Sequence, residues 1–214
     1  MGDFDSLIIS EKNMKYIRDI FRPKQKSYGK GEIILDGQAP DNRLCVLLKG
    51  SAYLCVEQEN GGRQLLDYFT KGQLICPEML PGADNGHCFI LAKYPCTAAC
   101  LSHQELQEHM LTHSDSDLTE LFSHLLHAVI HAGNEHCHIL QQKTIRSKLT
   151  AYLRAQSVRQ GSTSVHIPIP YSDLADYLAI DRSSLMTELS RMDGEGIIEK
   201  KGRVIVLDIK NRHL

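Results

Sequence analysis

The stretch "DLADYLAIDRSSLMTELSRMDGEGIIEKKGRVIVL", residues 173–207, restricts the fold more than any other part of the chain. Ser172 is placed to cap a first short helix that buries Leu174, Ala175 and Leu178. "AID" makes a turn, and Asp181 is placed to cap a second helix whose inner stripe is Leu185, Leu189 and Met192. The outer face then carries Arg182, Ser183, Met186, Thr187, Ser190 and Arg191, with Ser184 beside them. Gly194 and Gly196 end that helix, and "IIEK" and "RVIVL" are strands joined at Lys201-Gly202. This pattern predicts a helix-turn-helix followed by a wing.

Such a unit suits double-stranded DNA. A slim helix bearing hydroxyls and guanidinium groups fits the major groove. The expected contacts are Arg182, Ser183, Ser184, Thr187 and Arg191 from the helix and Lys200, Lys201 and Arg203 from the wing. Arg146 and Lys148, on the preceding helix, are expected to meet phosphates as well. The 214-residue chain has a net charge of −2, so any anion-binding surface has to be local.

Other bulk features narrow the class. No apolar run approaches the roughly 18 residues of a membrane helix, and "MGDFDSLIISEKNMKYI" does not read as a secretory signal. No membrane partner and a cytoplasmic location are therefore expected. Seven cysteines, an odd number with no Cys-x-x-Cys pair, point to reduced thiols rather than a disulfide framework or a zinc site.

The periodicity divides the chain into three sections, an α+β arrangement. Residues 1–114 contain short apolar runs punctuated by glycine; "SAYLCVE" has strand alternation, and "ENGG" is a hairpin signal. Lys-Gly pairs at 30–31, 49–50 and 71–72 supply more turns, so an antiparallel β-roll of the jelly-roll kind is expected. Residues 115–142 read as one long helix with an apolar stripe through Leu118, Leu121, Phe122, Leu125, Val129, Ala132, Gly133 and Leu140. Packing of this stripe against a second copy, with Leu118, Phe122, Leu125 and Val129 at the contact, predicts a homodimer. Residues 143–214 begin with an amphipathic helix and end in the winged unit.

A glycine-punctuated roll, a long helix, "KTIRSKLTAYL" and "IPYSDLADYLAIDRSSLMTELSRM" together resemble the Crp/Fnr superfamily of bacterial transcription regulators. The resemblance covers nearly the whole chain and is most specific over 140–207. It implies a cyclic-nucleotide-binding-like roll with an effector pocket, a homodimer on a palindromic operator, and RNA polymerase as a partner. In the cyclic-AMP receptor the recognition helix begins Arg-Glu-Thr and carries another arginine a turn later. Here Arg182 is kept, Ser183 replaces the glutamate and Thr187 replaces the second arginine, so a different operator is expected. Ala179 stands where glycine is common, which costs strain if its φ is positive.

The roll's effector is not written in the sequence. "GQLICPEMLPGADNGHCFILAKYPC" lacks the Gly-Glu pair and the arginine that hold a cyclic nucleotide, which disfavours cyclic AMP. No cysteine precedes Cys45, which disfavours an iron–sulfur cluster. Cys76 in "ICPEM" leaves haem open, with His87 or a helix histidine as second ligand, and the candidate pocket is Cys76, Glu78, His87 and Cys88. His127 and His131, four apart, could hold a metal, but no third ligand is evident and the expectation is a polar face. No catalytic residue is assigned. A cupin-like metalloenzyme needs clustered histidines on the strands, and His87 is the only histidine between Lys30 and Leu101.

Overall fold

The computed structural model describes residue 9 and residues 11–38, 43–58, 61–75, 87–112 and 116–207. The chain divides into two compact units, Met1–Ile130 and His131–Leu214.

The first unit opens with α1 (Glu11–Phe21) and continues as strands β1 (Lys24–Tyr28), β2 (Ile33–Asp36), β3 (Arg43–Lys49), β4 (Ala52–Glu57), β5 (Arg63–Phe69), β6 (Leu74–Ile75), β7 (Cys88–Ala92) and β8 (Cys96–Ser102). They form two antiparallel four-stranded sheets, in the orders β1-β8-β3-β6 and β2-β7-β4-β5. The inner faces close on one core that includes Tyr28, Ile34, Leu47, Leu54, Phe69, Ile75 and Ile90. The turns sit where glycine supplies positive φ. At Gly50 (φ 84°) a Cβ would come within 2.5 Å of the Pro95 carbonyl oxygen, so no larger residue fits. The strand at 52–57 is as expected, but it lies between two neighbours and is buried on both faces through Cys55, not alternately exposed.

On the outer face of the first sheet, Leu44, Val46 and Leu101 meet α1, α2 (His103–Thr112) and the start of α3 (Ser116–Leu140). Ser102 and Glu105 close a reciprocal capping box at the start of α2. Leu118 and Leu121 of α3 are 1% and 4% exposed because they complete this outer cluster. That corrects part of the expected dimer stripe: Leu118 is spent inside its own chain. The side chains of Phe122, Leu125 and Val129 lie outside the described residues. Among the described residues, the large apolar side chains that α3 exposes in this unit are Leu126 (63%) and Ile130 (55%).

The expectation of seven reduced thiols is also corrected. Cys45 and Cys100, 55 residues apart in sequence, are joined as a disulfide across β3 and β8. Sequence spacing could not reveal this, because the pairing is made by strand register. Cys55, Cys88, Cys96 and Cys137 remain thiols.

The second unit contains α4 (Ile145–Gln160), β9 (Ser164–His166), α5 (Tyr171–Tyr177), α6 (Arg182–Gly194), β10 (Ile198–Lys201) and β11 (Val204–Leu207). Helix α4 has a Thr144–Ser147 capping box and a left-handed Gly161 at its end. It buries Leu149, Tyr152, Leu153 and Gln156, with Ile145 half-buried. Leu174, Ala175, Leu178, Leu185, Leu189 and Met192 are all buried, as the helix-turn-helix pattern requires. The wing has a third strand, since β9 adds to the β10–β11 hairpin. Neither expected cap forms. Pro170 occupies the N-cap of α5 with Ser172 already inside the helix, and Asp181 sits at the N-cap of α6 without a side-chain hydrogen bond. Among the described residues, no helix is long and apolar enough to cross a membrane.

Ala179, in the turn between α5 and α6, has φ 50° and an exposed side chain. Left-handed backbone costs an L-residue roughly 1–2 kcal/mol, against roughly 0.5–1 kcal/mol of extra unfolded-chain entropy for glycine. Ala179→Gly is therefore expected to stabilise the second unit by up to about 1 kcal/mol, read as a higher urea midpoint with unchanged m-value.

Candidate nucleic-acid interface

The reading helix α6 is held from below by Leu185, Leu189 and Met192, which leaves its outer face to solvent. Arg182, Ser183, Thr187, Ser190 and Arg191 are exposed there, with Ser184 and Met186 half-buried. Arg182 enters no ion pair or hydrogen bond among the described residues, so its guanidinium is free for a base edge. The Thr187 hydroxyl donates to the Ser183 carbonyl at 2.9 Å, so its proton is already used within the helix.

Among the carboxylates on or beside α6, Glu188 and Glu195 would repel phosphates if left bare. Both are engaged by Arg146 of α4. Its Nε donates to Glu188, while Nη1 and Nη2 donate to the two oxygens of Glu195 at 2.7 and 3.0 Å. The Glu195 bonds, then those to Glu188, push the Arg146 pKa further up, and the same contact holds the Glu195 carboxyl below its ordinary range. Arg191 also donates to Glu195, at 3.0 Å. Arg146 is thus a clamp on the reading helix and not the phosphate contact expected from sequence. Lys148 is likewise diverted: its ammonium donates to the Leu178 carbonyl at 2.9 Å.

That carbonyl belongs to the turn preceding α6, and a second side chain holds the neighbouring residue. His136, near the end of α3, stacks on Tyr177 with ring centroids 3.9 Å apart, and its Nε2 lies 2.9 Å from the Tyr177 carbonyl oxygen. Burial lowers the His136 pKa, which favours the neutral ring with the proton on Nε2. His136, Glu188 and Glu195 were not singled out by sequence reading. The local signal that points to this cluster is the i, i+4 spacing of Arg191 and Glu195.

In the wing, Lys201 and Arg203 are exposed, and Lys201 pairs with Glu199 at 2.6 Å. Lys200 lies 5.4 Å over the Tyr171 ring, whose hydroxyl donates to the Gly202 carbonyl at 2.6 Å. Tyr171 thereby fixes the wing tip that presents Arg203.

The candidate effector residues are only partly brought together. Cys76 and Glu78 lie outside the described residues. His87 is gripped on both ring nitrogens, with Nε2 2.7 Å from Asp36 and Nδ1 3.3 Å from Glu57. The bond to Asp36 is the larger cause of its raised pKa, and the two carboxylate partners favour the doubly protonated ring. A ring held this way has no lone pair for iron, so His87 is not a haem ligand in this arrangement. The local cation is already neutralised, so these residues do not fit a phosphodiester. Cys88 is buried, which raises its thiol pKa and makes it a poor nucleophile. Among the described residues, no group of three His, Cys, Asp or Glu side chains could hold a metal ion, and His127 and His131 lie on an exposed face.

Comparison with known proteins agrees with this geometry. The family model for the cyclic nucleotide-binding domain matches residues 25–113, and that for the Crp-like helix-turn-helix domain matches residues 147–211. No curated protein matches the chain. Among solved structures, a CooA mutant from Carboxydothermus hydrogenoformans superposes with a TM-score of 0.74 at 14% identity, over 95% of each chain. FixK2 from Bradyrhizobium japonicum gives 0.69 at 19%, over 89% of this chain and 94% of its own. OCPA-complexed CprK gives 0.70 at 16%, over 96% of this chain and 97% of its own. With its nucleotide-binding-type roll followed by a Crp-like helix-turn-helix and wing, the chain belongs to the Crp/Fnr family of DNA-binding transcription regulators.

Proposed function

We propose that the chain acts as a homodimer in the cytoplasm, reading a palindromic operator through α6, under control of an effector that acts on the β-roll. The observation that carries this reading is the charge arrangement on the second unit. Arg182 and Arg203 stand exposed and outside any ion pair among the described residues, while Arg146 pairs with Glu188 and Glu195 and offsets part of the acidic charge beside α6. One guanidinium per helix then reads a guanine edge, and the Met186 and Thr187 methyl groups favour thymine methyls. RNA polymerase is the protein partner that family membership implies.

Dimerisation through α3 is supported by Leu126 and Ile130, one helical turn apart and largely exposed. Two half-sites about 34 Å apart would then be engaged together. For the effector, the neutralised His87 argues against cyclic AMP or another phosphodiester. A redox input to the roll agrees better with the bonded Cys45–Cys100 pair.

Arg182→Ala should weaken operator binding by about 1–3 kcal/mol and relax preference at one base pair, whereas Arg203→Ala should weaken all sequences alike and lower the salt slope by about 1. Equal affinity of the Arg182 variant and the parent at fixed salt would remove α6 as the reading element. Ile130→Glu should sediment as a monomer and lose about 10²–10⁴ in operator affinity; a variant that stays dimeric would exclude this face. His87 has a raised folded-state pKa, so its stabilising contribution is present below pH 6.5 and fades as pH rises through the higher folded value. The melting temperature should therefore fall over that window, and less so in His87→Gln.

A further inference from the structure

We propose that Cys45 and Cys100 form a reversible redox-modification site, oxidised to the disulfide by hydrogen peroxide and returned to two thiols by a cellular dithiol, with the change felt at β6. The chemical step stands on strand geometry alone; its effect on gene control rests on the DNA-binding reading above.

Register makes this pair selective. Cys45 and Cys100 are direct partners in the β3–β8 ladder, their Cα atoms 4.1 Å apart, and both side chains enter the core between the sheets. The remaining described thiols are not so placed. Cys96 shares the Cys100 face but lies four residues along the same strand. Cys55 and Cys88 sit on neighbouring strands one register step apart, since Cys88 pairs with Val56 and Cys55 with Phe89. Their side chains therefore point to opposite faces.

Of the two sulfurs, Cys100 is the one that peroxide reaches first. It is 8% exposed where Cys45 is fully buried, and Lys24 on the edge strand β1 stands directly opposite it in register. The Cys100 thiolate attacks one peroxide oxygen, the O–O bond breaks, and the departing hydroxide takes up a proton to leave as water, giving a sulfenic acid. Cys45, losing its own proton, then attacks the Cys100 sulfur and expels the sulfenic oxygen as a second water. Two thiols and one peroxide thus become one disulfide and two waters.

The consequence follows from packing. Bonded sulfurs lie about 2.05 Å apart, whereas two thiols need roughly 3.5–4 Å. Cys45 is at 0% exposure, and its partner on the other side is Ile75 of β6, also at 0%. A close-packed core does not absorb such a change without moving a neighbour. Strand β6 is only two residues long and is held to the sheet through β3, so it is the neighbour least able to resist. It leads directly into residue 76, the start of the stretch where related rolls take their effector.

The test uses the full chain, reduced with dithiothreitol without oxygen, desalted, then given one equivalent of hydrogen peroxide. Alkylation and peptide mapping should show two thiols lost, one Cys45–Cys100 crosslinked peptide, and full recovery with dithiothreitol. Amide exchange at Leu74 and Ile75 should differ about fivefold or more between the states. Operator affinity should differ by about tenfold, and peroxide should leave Cys100→Ser unchanged; Cys45→Ala serves if that variant fails to fold. Alkylation of both cysteines after peroxide overturns the proposal, as does a bond that forms without any change in exchange or affinity. A chain that binds no operator in either state would instead sink the DNA-binding reading, while the peptide map still decides the cysteine chemistry.

Discussion

The antiparallel pairing of β3 with β8 is the contact on which the first unit depends. Side chains alternate across a strand, so this one ladder has two jobs. Its inner row, Cys45, Leu47, Cys96, Ala98 and Cys100, builds the core between the sheets. Its outer row, Leu44, Val46 and Leu101, forms the floor on which α1, α2 and the first turns of α3 rest. A slip of one residue would exchange the two sets and dismantle both layers at once. The same register brings two cysteines together, so the redox chemistry proposed for them is a by-product of the pairing that makes the roll.

In the second unit the corresponding constraint is electrostatic. A helix that must approach a polyanion carries Glu188 midway and ends at Glu195. Arg146 bonds both from α4, so one side chain positions the helix and offsets part of its acidic charge. Lys148 and His136 hold the carbonyls of the turn just before α6. Three side chains that precede the helix-turn-helix in sequence therefore set where its reading face lies. Placing the Arg146 guanidinium between two carboxylates beside solvent costs less desolvation than burying it, and specificity of position is the gain.

The apolar face of α3 shows how one pattern can serve two ends. Its early residues, Leu118 and Leu121, finish the outer cluster of the roll, whereas Leu126 and Ile130 remain outside it. A helical wheel places all of them in a broad apolar sector and does not say which contact each will make. That decision depends on where the roll ends along the helix.

The winged helix-turn-helix was legible because its signals are local. Leu174, Leu178, Leu185, Leu189 and Met192 recur at helical spacing, and the glycines after α6 carry their own conformational requirement, as at Gly196 with φ 70°. Ala179 was likewise readable as a strained turn, and it has φ 50°. What the amino-acid order alone determined is therefore the succession of roll, long helix and winged helix-turn-helix, the buried stripes of the second unit and the family; the helices α1 and α2 that flank the roll were not read from it. Tertiary structure decided the partners of the charged and sulfur-bearing side chains. It converted Arg146 and Lys148 from phosphate contacts into clamps, closed His87 between Asp36 and Glu57, and joined Cys45 to Cys100. Periodicity is a property of neighbours in sequence, whereas these contacts join residues 30 to 55 positions apart, whose meeting is set only by how strands register and helices pack.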